Sequence, residues 1–274
     1  MSEPVFPATS HPATTSRSLT AAILAGVSVG ALGGLIGLGG AEFRLPLLIA
    51  VFGFAALQAV IVNKAMSLIV VLTALPARLI AVPFSEVAAQ WTIIANLLAG
   101  SLAGAWIGAT WATRMRSATL YRILAVLLVV IAAALAAFHL NTVEPLALPP
   151  AIQLIAGLIA GALIGVVAAL MGVAGGELLI PTIVLLYGID IKLAGSLSLA
   201  VSLPTMLVAF ARYSQDASFH ILNANKAFVL TMAVGSILGT LLGAALLTVI
   251  PSGAIVPALV LILLVSAAKV WAHR

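Results

Sequence analysis

Charge is what this sequence has least of. Of 274 residues, 7% are Asp, Glu, Lys or Arg, against roughly a quarter in an ordinary soluble domain. That deficit, with 64% hydrophobic residues, excludes a water-soluble globular chain and points to one embedded in a membrane. The length allows about ten spans of roughly 20 residues with tight connections and leaves no room for a separate soluble domain. Cysteine is absent, which excludes disulfides, thiolate nucleophiles and thiolate metal sites. Acidic residues are scarcer than basic ones, 7 against 12. In so apolar a chain the surplus of +5 reads as orientation in a bilayer, since Lys and Arg collect on the cytoplasmic side, and not as affinity for nucleic acid.

Enzyme motifs are missing too. There is no metalloprotease helix, no phosphate-binding loop and no pair of carboxylates at catalytic spacing. One literal match to a nucleophile elbow, Gly26-Val27-Ser28-Val29-Gly30, lies inside an apolar helix, whereas that motif needs a strand-to-helix turn. His139 and His220 are expected in loops. No enzymatic activity, metal or cofactor is expected.

What is present is a set of long apolar runs. Residues 1–18 are rich in Pro, Ser and Thr, carry no Lys or Arg before Arg17, and read as a disordered tail. They make a poor signal peptide, because the apolar run that follows is long enough to span and has no convincing cleavage site. Apolar segments follow at residues 19–38, 43–54, 57–82, 87–113 and 120–140, then, after a Pro-rich linker at 141–150, at 151–171, 178–189, 191–213, 226–250 and 253–271.

The two sets are copies. Residues 37–46 read Gly-Leu-Gly-Gly-Ala-Glu-Phe-Arg-Leu-Pro and residues 172–181 read Gly-Val-Ala-Gly-Gly-Glu-Leu-Leu-Ile-Pro. One offset of 135 relates Gly37 to Gly172, Glu42 to Glu177, Pro46 to Pro181, Ser67 to Ser202, Gly100-Ser101 to Gly235-Ser236, and Gly108 to Gly243. The chain is therefore read as an internal duplication, with transmembrane repeats at 19–140 and 151–274. An odd number of crossings per half inverts the second copy relative to the first, as in many secondary transporters. The charges agree. Arg17, the cluster Arg114, Arg116 and Arg122, the loop from Arg212 to Lys226, and Lys269 with Arg274 fall on one side, while Glu86 and Glu144 fall on the other. The first side is cytoplasmic by the positive-inside rule, with both termini inside; Lys192 is the exception.

Glycines at four-residue spacing, as in Gly26/Gly30/Gly34 and Gly100/Gly104/Gly108, are read as helix-packing positions. The breaks Gly39-Gly40 and Gly175-Gly176 are different, because lipid tolerates interrupted backbone only where it is buried in protein or lines a wet cavity. Short helices starting near Ala41 and Glu177 would turn their N-terminal N–H groups into such a cavity, where an anion binds well. The alternative is a pair of tight turns at the membrane surface. Glu42 and Glu177 are candidate proton-coupling groups, since intramembrane acids often act as relays; the alternative is helix capping or an ion pair with Arg44. Arg44, which the repeat replaces with Leu179, is the first candidate for a charge contact to substrate. Lys64 is the second. Asn63, Ser67, Ser198 and Ser202 lie in matched segments and offer oxyanion ligands or, alternatively, satisfy backbone groups. Arg78 and Arg212, near segment ends, are expected to snorkel.

A Gly-rich break running into an apolar stretch with a proline, once per half in a chain of this size, resembles the TauE/SafE sulfite exporter family, also called the 4-toluenesulfonate uptake permease group. The resemblance rests on Gly37, Gly39, Gly40 and Pro46 in the first half and on Gly172, Gly175, Gly176 and Pro181 in the second. Ala41 stands where a third glycine is common, and Ala174 interrupts the second run. It implies transport of a small sulfur-containing or organic anion, such as sulfite, a sulfonate or sulfoacetate, across the cytoplasmic membrane.

The expected fold is an all-α polytopic membrane protein of two inverted repeats, each of about five helical segments with short, broken helices at the Gly-rich motifs. The expected function is secondary transport of a small anion with proton coupling; the alternatives are a passive anion channel or a non-transporting membrane subunit. The expected partners are the anion and the lipid bilayer, with no nucleic acid and with homo-oligomerisation left open.

Overall fold

Hydrocarbon offers no hydrogen bonds to a backbone, so long apolar runs satisfy their own N–H and C=O groups by forming helices. The computed structural model describes residues 18–36, 40–140, 145–246 and 252–272, and among them the backbone forms twelve α-helices, one 3-10 turn and no strand. The first half contains α1 (Leu19–Ile36), α2 (Ala41–Ala50), α3 (Ala56–Ala81), α4 (Phe84–Ala89), α5 (Trp91–Arg114) and α6 (Ser117–Leu140). The second contains α7 (Pro150–Met171), α8 (Gly176–Tyr187), α9 (Ile191–Tyr213), α10 (His220–Ala224), α11 (Lys226–Leu246) and α12 (Ser252–Ala272).

The helix boundaries keep the offset of 135 found in the sequence. The starts at Ala41, Ala56, Trp91 and Ser117 recur 135 residues later at Gly176, Ile191, Lys226 and Ser252. The two short helices α4 and α10, not anticipated from the sequence, are themselves a matched pair. Their presence moves His220 from the expected loop to the first residue of α10, and His139 lies within the last turn of α6. Helices α3, α5, α6, α7, α9 and α11 contain stretches long and apolar enough to cross a bilayer. At 10 and 12 residues, α2 and α8 reach about 15 to 18 Å, well short of a hydrocarbon core of roughly 30 Å.

The halves are interleaved. Helix α1 of the first half packs along α11 of the second, and its repeat counterpart α7 packs along α5 of the first. Equivalent helices also meet, α6 against α12 and α3 against α9. Close approach depends on the spaced glycines. A Cβ at Gly100, Gly104 or Gly108 of α5 would overlap the carbonyl oxygens of Leu158, Ala162 and Val166 in α7, and one at Gly235, Gly239 or Gly243 of α11 would overlap those of Ile23, Val27 and Ala31 in α1. Backbone contact of this kind stabilises helix pairs where lipid supplies no hydrophobic drive. Gly104→Val is expected to force α5 and α7 apart and to cost about 2 to 3 kcal/mol, measured as a lowered thermal unfolding midpoint in detergent, whereas Val at Gly53, which has open space beside it, acts only through its left-handed backbone.

Candidate functional site

The two Gly-rich breaks come together inside the protein. Gly172 ends α7 with φ 70°, and Gly40 and Gly175 precede α2 and α8 with φ 70° and 87°, left-handed conformations that favour glycine. Gly172 has a second reason to lack a side chain, since a Cβ there would overlap the Val60 carbonyl and lie 3.1 Å from the Lys64 amide nitrogen on α3. Residues 40–46 and 171–176 are all buried, so the described parts of the breaks are enclosed by protein and are not exposed surface turns. Gly39 lies outside the described residues.

Ending a helix inside a membrane protein leaves carbonyls that must find donors. For α7 most of the side-chain donors come from α3 of the other half, and one comes from α9. Lys64 Nζ donates to the carbonyls of Ala168 at 2.8 Å and Val173 at 2.6 Å. Asn63 Nδ2 donates to Met171 at 3.0 Å and also to Ala41 at 3.0 Å, while Ser67 Oγ donates to Gly172 at 3.2 Å. The Tyr213 hydroxyl donates to Ala169 at 2.9 Å. The ammonium of Lys64 thus sits at the negative end of the α7 dipole. Lys64→Met takes the ammonium donor from the Val173 carbonyl, while Ala168 keeps the backbone N–H of Val173, and is expected to destabilise by about 1 to 3 kcal/mol, a loss measurable by thermal unfolding.

Arg44 is fastened as completely. Its Nε donates to Asn63 Oδ1 at 2.8 Å, Nη2 to Ser67 Oγ at 2.7 Å and to the Asn63 carbonyl at 3.4 Å, and Nη1 to Ser236 Oγ on α11 at 3.3 Å. Arg44, Asn63 and Lys64 are 1% exposed or less. Lys64 is the ninth of the 26 residues of α3, about a third of the way along that helix.

The second half does not return this grip. The repeat places Leu179 opposite Arg44 and Leu199 opposite Lys64. Ser198, the counterpart of Asn63, donates to the Gly195 carbonyl of its own helix at 2.8 Å, and Ser202, the counterpart of Ser67, is buried at 1% exposure.

Glu42 and Glu177 occupy the first turns of α2 and α8. Their carboxyl groups are close enough to interact directly with each other. Among the described residues no donor reaches either carboxyl oxygen of Glu42 or Oε2 of Glu177 in hydrogen-bond geometry. Glu42 is 1% exposed and Glu177 half-buried. Neither account offered by capping or ion pairing describes them. The N-caps are glycines without a side-chain cap, and the Arg44 donors go to Asn63, Ser67 and Ser236. The shared proline has a local consequence as well. Pro46 and Pro181 stand four residues after the glutamates inside the helices, and a proline lacks the N–H that would bond the carbonyl four residues earlier. The glutamate carbonyls of both copies therefore lose their helical donor.

Sequence reasoning missed Tyr213 and Ser236. Ser236 was marked by the repeat, and its counterpart Ser101 makes a comparable link, with its hydroxyl 2.7 Å from that of Thr205 on α9. For Tyr213 no sequence signal existed beyond its place at the end of an apolar run. Arg212 differs from the snorkelling expectation. Its Nε donates to Thr110 at 2.9 Å and Nη2 to Thr113 at 3.4 Å, with the guanidinium 6.0 Å from the Trp106 ring centre. The hydroxyls of α5 hold it in place. The Arg78 side chain lies outside the described residues.

Among known proteins, a family model described as sulfite exporter TauE/SafE matches residues 22–270, nearly the whole chain. No curated protein and no solved structure matches it.

Proposed function

The chain belongs to the TauE/SafE sulfite exporter family, whose members are membrane transporters, and on that premise we propose that it carries a small anion, sulfite or an organosulfonate or related organic anion, across the cytoplasmic membrane together with a proton. The observation that carries this reading is the meeting of Glu42 and Glu177, three of whose four carboxyl oxygens are buried with no donor among the described residues, at the starts of two short helices. A helix N-terminus attracts an anion. An acid that can be neutralised beside it lets that attraction be switched.

In this reading the anion is received by the backbone at Gly40 and Ala41 in one half and at Gly175 and Gly176 in the other, with Ser198 and Ser202 as hydroxyl donors. Arg44 and Lys64 act through their enclosed positive charge while their donors, with Asn63 and Ser67, hold the breaks in shape. The halves are inverted, and alternating access is a rocking of one against the other around this fixed centre. Loading requires the glutamates to be neutralised, so anion and proton travel together and the anion accumulates in the more alkaline compartment.

The test is flux of labelled sulfite and of 4-toluenesulfonate into proteoliposomes under an imposed pH gradient. Accumulation beyond equilibrium is the expected result. Flux that stops at equilibrium indicates a channel, and no flux of either anion indicates a subunit without transport. Both termini are placed in the cytoplasm, and because the chain has no native cysteine the orientation is open to single-site labelling. Arg116→Cys is expected to label only from the cytoplasmic side and Glu144→Cys only from the other; labelling of both from one side contradicts the topology.

A further inference from the structure

We infer that Glu42 and Glu177 form one shared proton site, which takes up a single proton, bridged between the two carboxyl groups, for each monovalent anion bound. The inference rests on the reading of this centre as the anion site and adds the stoichiometry and the identity of the proton acceptor.

The argument is one of charge in an enclosed place. Four ionisable groups meet there: Glu42 and Arg44 on α2, Lys64 on α3 and Glu177 on α8. Helix α7, whose end closes the centre, contributes no ionisable side chain. From α9 the titratable group that arrives, among the described residues, is the Tyr213 hydroxyl, and it is occupied by the Ala169 carbonyl. From α11 comes the neutral Ser236 hydroxyl.

Arg44 is permanently charged, and Lys64 spends its donors on two carbonyl oxygens. Two cations against two carboxylates make the empty centre neutral. A monovalent anion adds one negative charge to a site with few water molecules to screen it, where an unbalanced charge is expensive. One proton restores neutrality. The contact of the two carboxyl groups is where it is best held, because each carboxylate strengthens the other's hold on an incoming proton, and a proton between them makes a short, charge-assisted hydrogen bond. It also gives a donor to oxygens that otherwise have none. Two independent acids would each be expected to carry hydrogen-bond partners of their own. Here three of the four oxygens have no donor among the described residues.

Glutamine at either position imitates the protonated acid. With one carboxylate gone, the centre carries a surplus positive charge and accepts an anion without a proton. Glu42→Gln and Glu177→Gln should therefore behave alike, although their side chains differ in exposure.

The experiment counts protons taken from a weakly buffered detergent solution as purified protein binds methanesulfonate, an anion ionised throughout the working pH range and thus silent itself, with sulfite as a second probe. About one proton per bound anion is expected for the native chain, with affinity weakening about tenfold for each unit of rising pH. Either glutamine variant, shown folded by its elution and unfolding midpoint, should bind with no proton uptake and no pH dependence. Uptake that persists in one variant overturns the shared site. Native binding without proton uptake, or binding that follows sodium concentration instead of pH, overturns the inference and leaves transport of the anion standing. Absence of binding by the native chain and both variants at every pH overturns the anion-site reading as well. The proton count on the native chain decides the matter even if a variant fails to fold.

Discussion

Proteoliposomes carrying Glu42→Gln or Glu177→Gln should lose pH-driven accumulation of the transported anion, falling at least about tenfold to the level set by equilibrium, while exchange of labelled for unlabelled anion continues. An amide keeps the shape of the acid and its place at the helix start but accepts no proton. Energy stored in the gradient is passed to the anion only if proton and anion binding are coupled, and the amide removes that coupling without removing the helix N-termini that attract the anion. Loss of exchange along with accumulation would mean that the carboxyl groups are needed for binding itself. Undiminished accumulation in both variants would remove proton coupling from the account.

Arg44→Leu should be the most destabilising single substitution at the centre, by about 3 to 5 kcal/mol, the usual effect of removing one member of a buried charged network. Leucine is what the second half carries at this position, Leu179, so the side chain is compatible with a short helix of this kind. What fails is the neighbourhood. Asn63 Oδ1, Ser67 Oγ and Ser236 Oγ each lose the donor they now have, and the carboxylates lose half of their balancing charge. Arg44→Lys keeps the charge and loses the fork of donors that spans α3 and α11, so it should fall between the native chain and Arg44→Leu. Thermal unfolding in detergent measures both, and an Arg44→Leu midpoint equal to the native one would show that the network contributes nothing to stability.

The offset of 135 was legible because it runs through residues that are costly in a membrane, namely the glycine breaks, the lone glutamates and the prolines. The helices followed, since the boundaries at Ala41, Ala56, Trp91 and Ser117 recur at Gly176, Ile191, Lys226 and Ser252. The short pair α4 and α10 was lost in the sequence because five or six residues at the end of an apolar run carry no period of their own.

The role of α3 was the larger omission. Asn63, Lys64 and Ser67 reach carbonyls between 104 and 109 residues away in the chain, and no local pattern says which orphaned carbonyl a distant donor will meet. Composition offered Arg44 and Lys64 as charges facing substrate. In the structure Lys64 bonds the break of the opposite half and Arg44 ties α2 to α3 and α11. Arg212 illustrates the same limit, since Thr110 and Thr113, which bind it, lie on another helix about a hundred residues earlier.

Uphill movement of the anion under a proton gradient tests the central claim most directly. In proteoliposomes of the native chain with an alkaline interior, labelled sulfite and 4-toluenesulfonate are the probes, and the account predicts accumulation of at least one of them above its equilibrium level. That excess should collapse when a protonophore dissipates the gradient. Entry that never exceeds equilibrium, or accumulation indifferent to the protonophore, would contradict it.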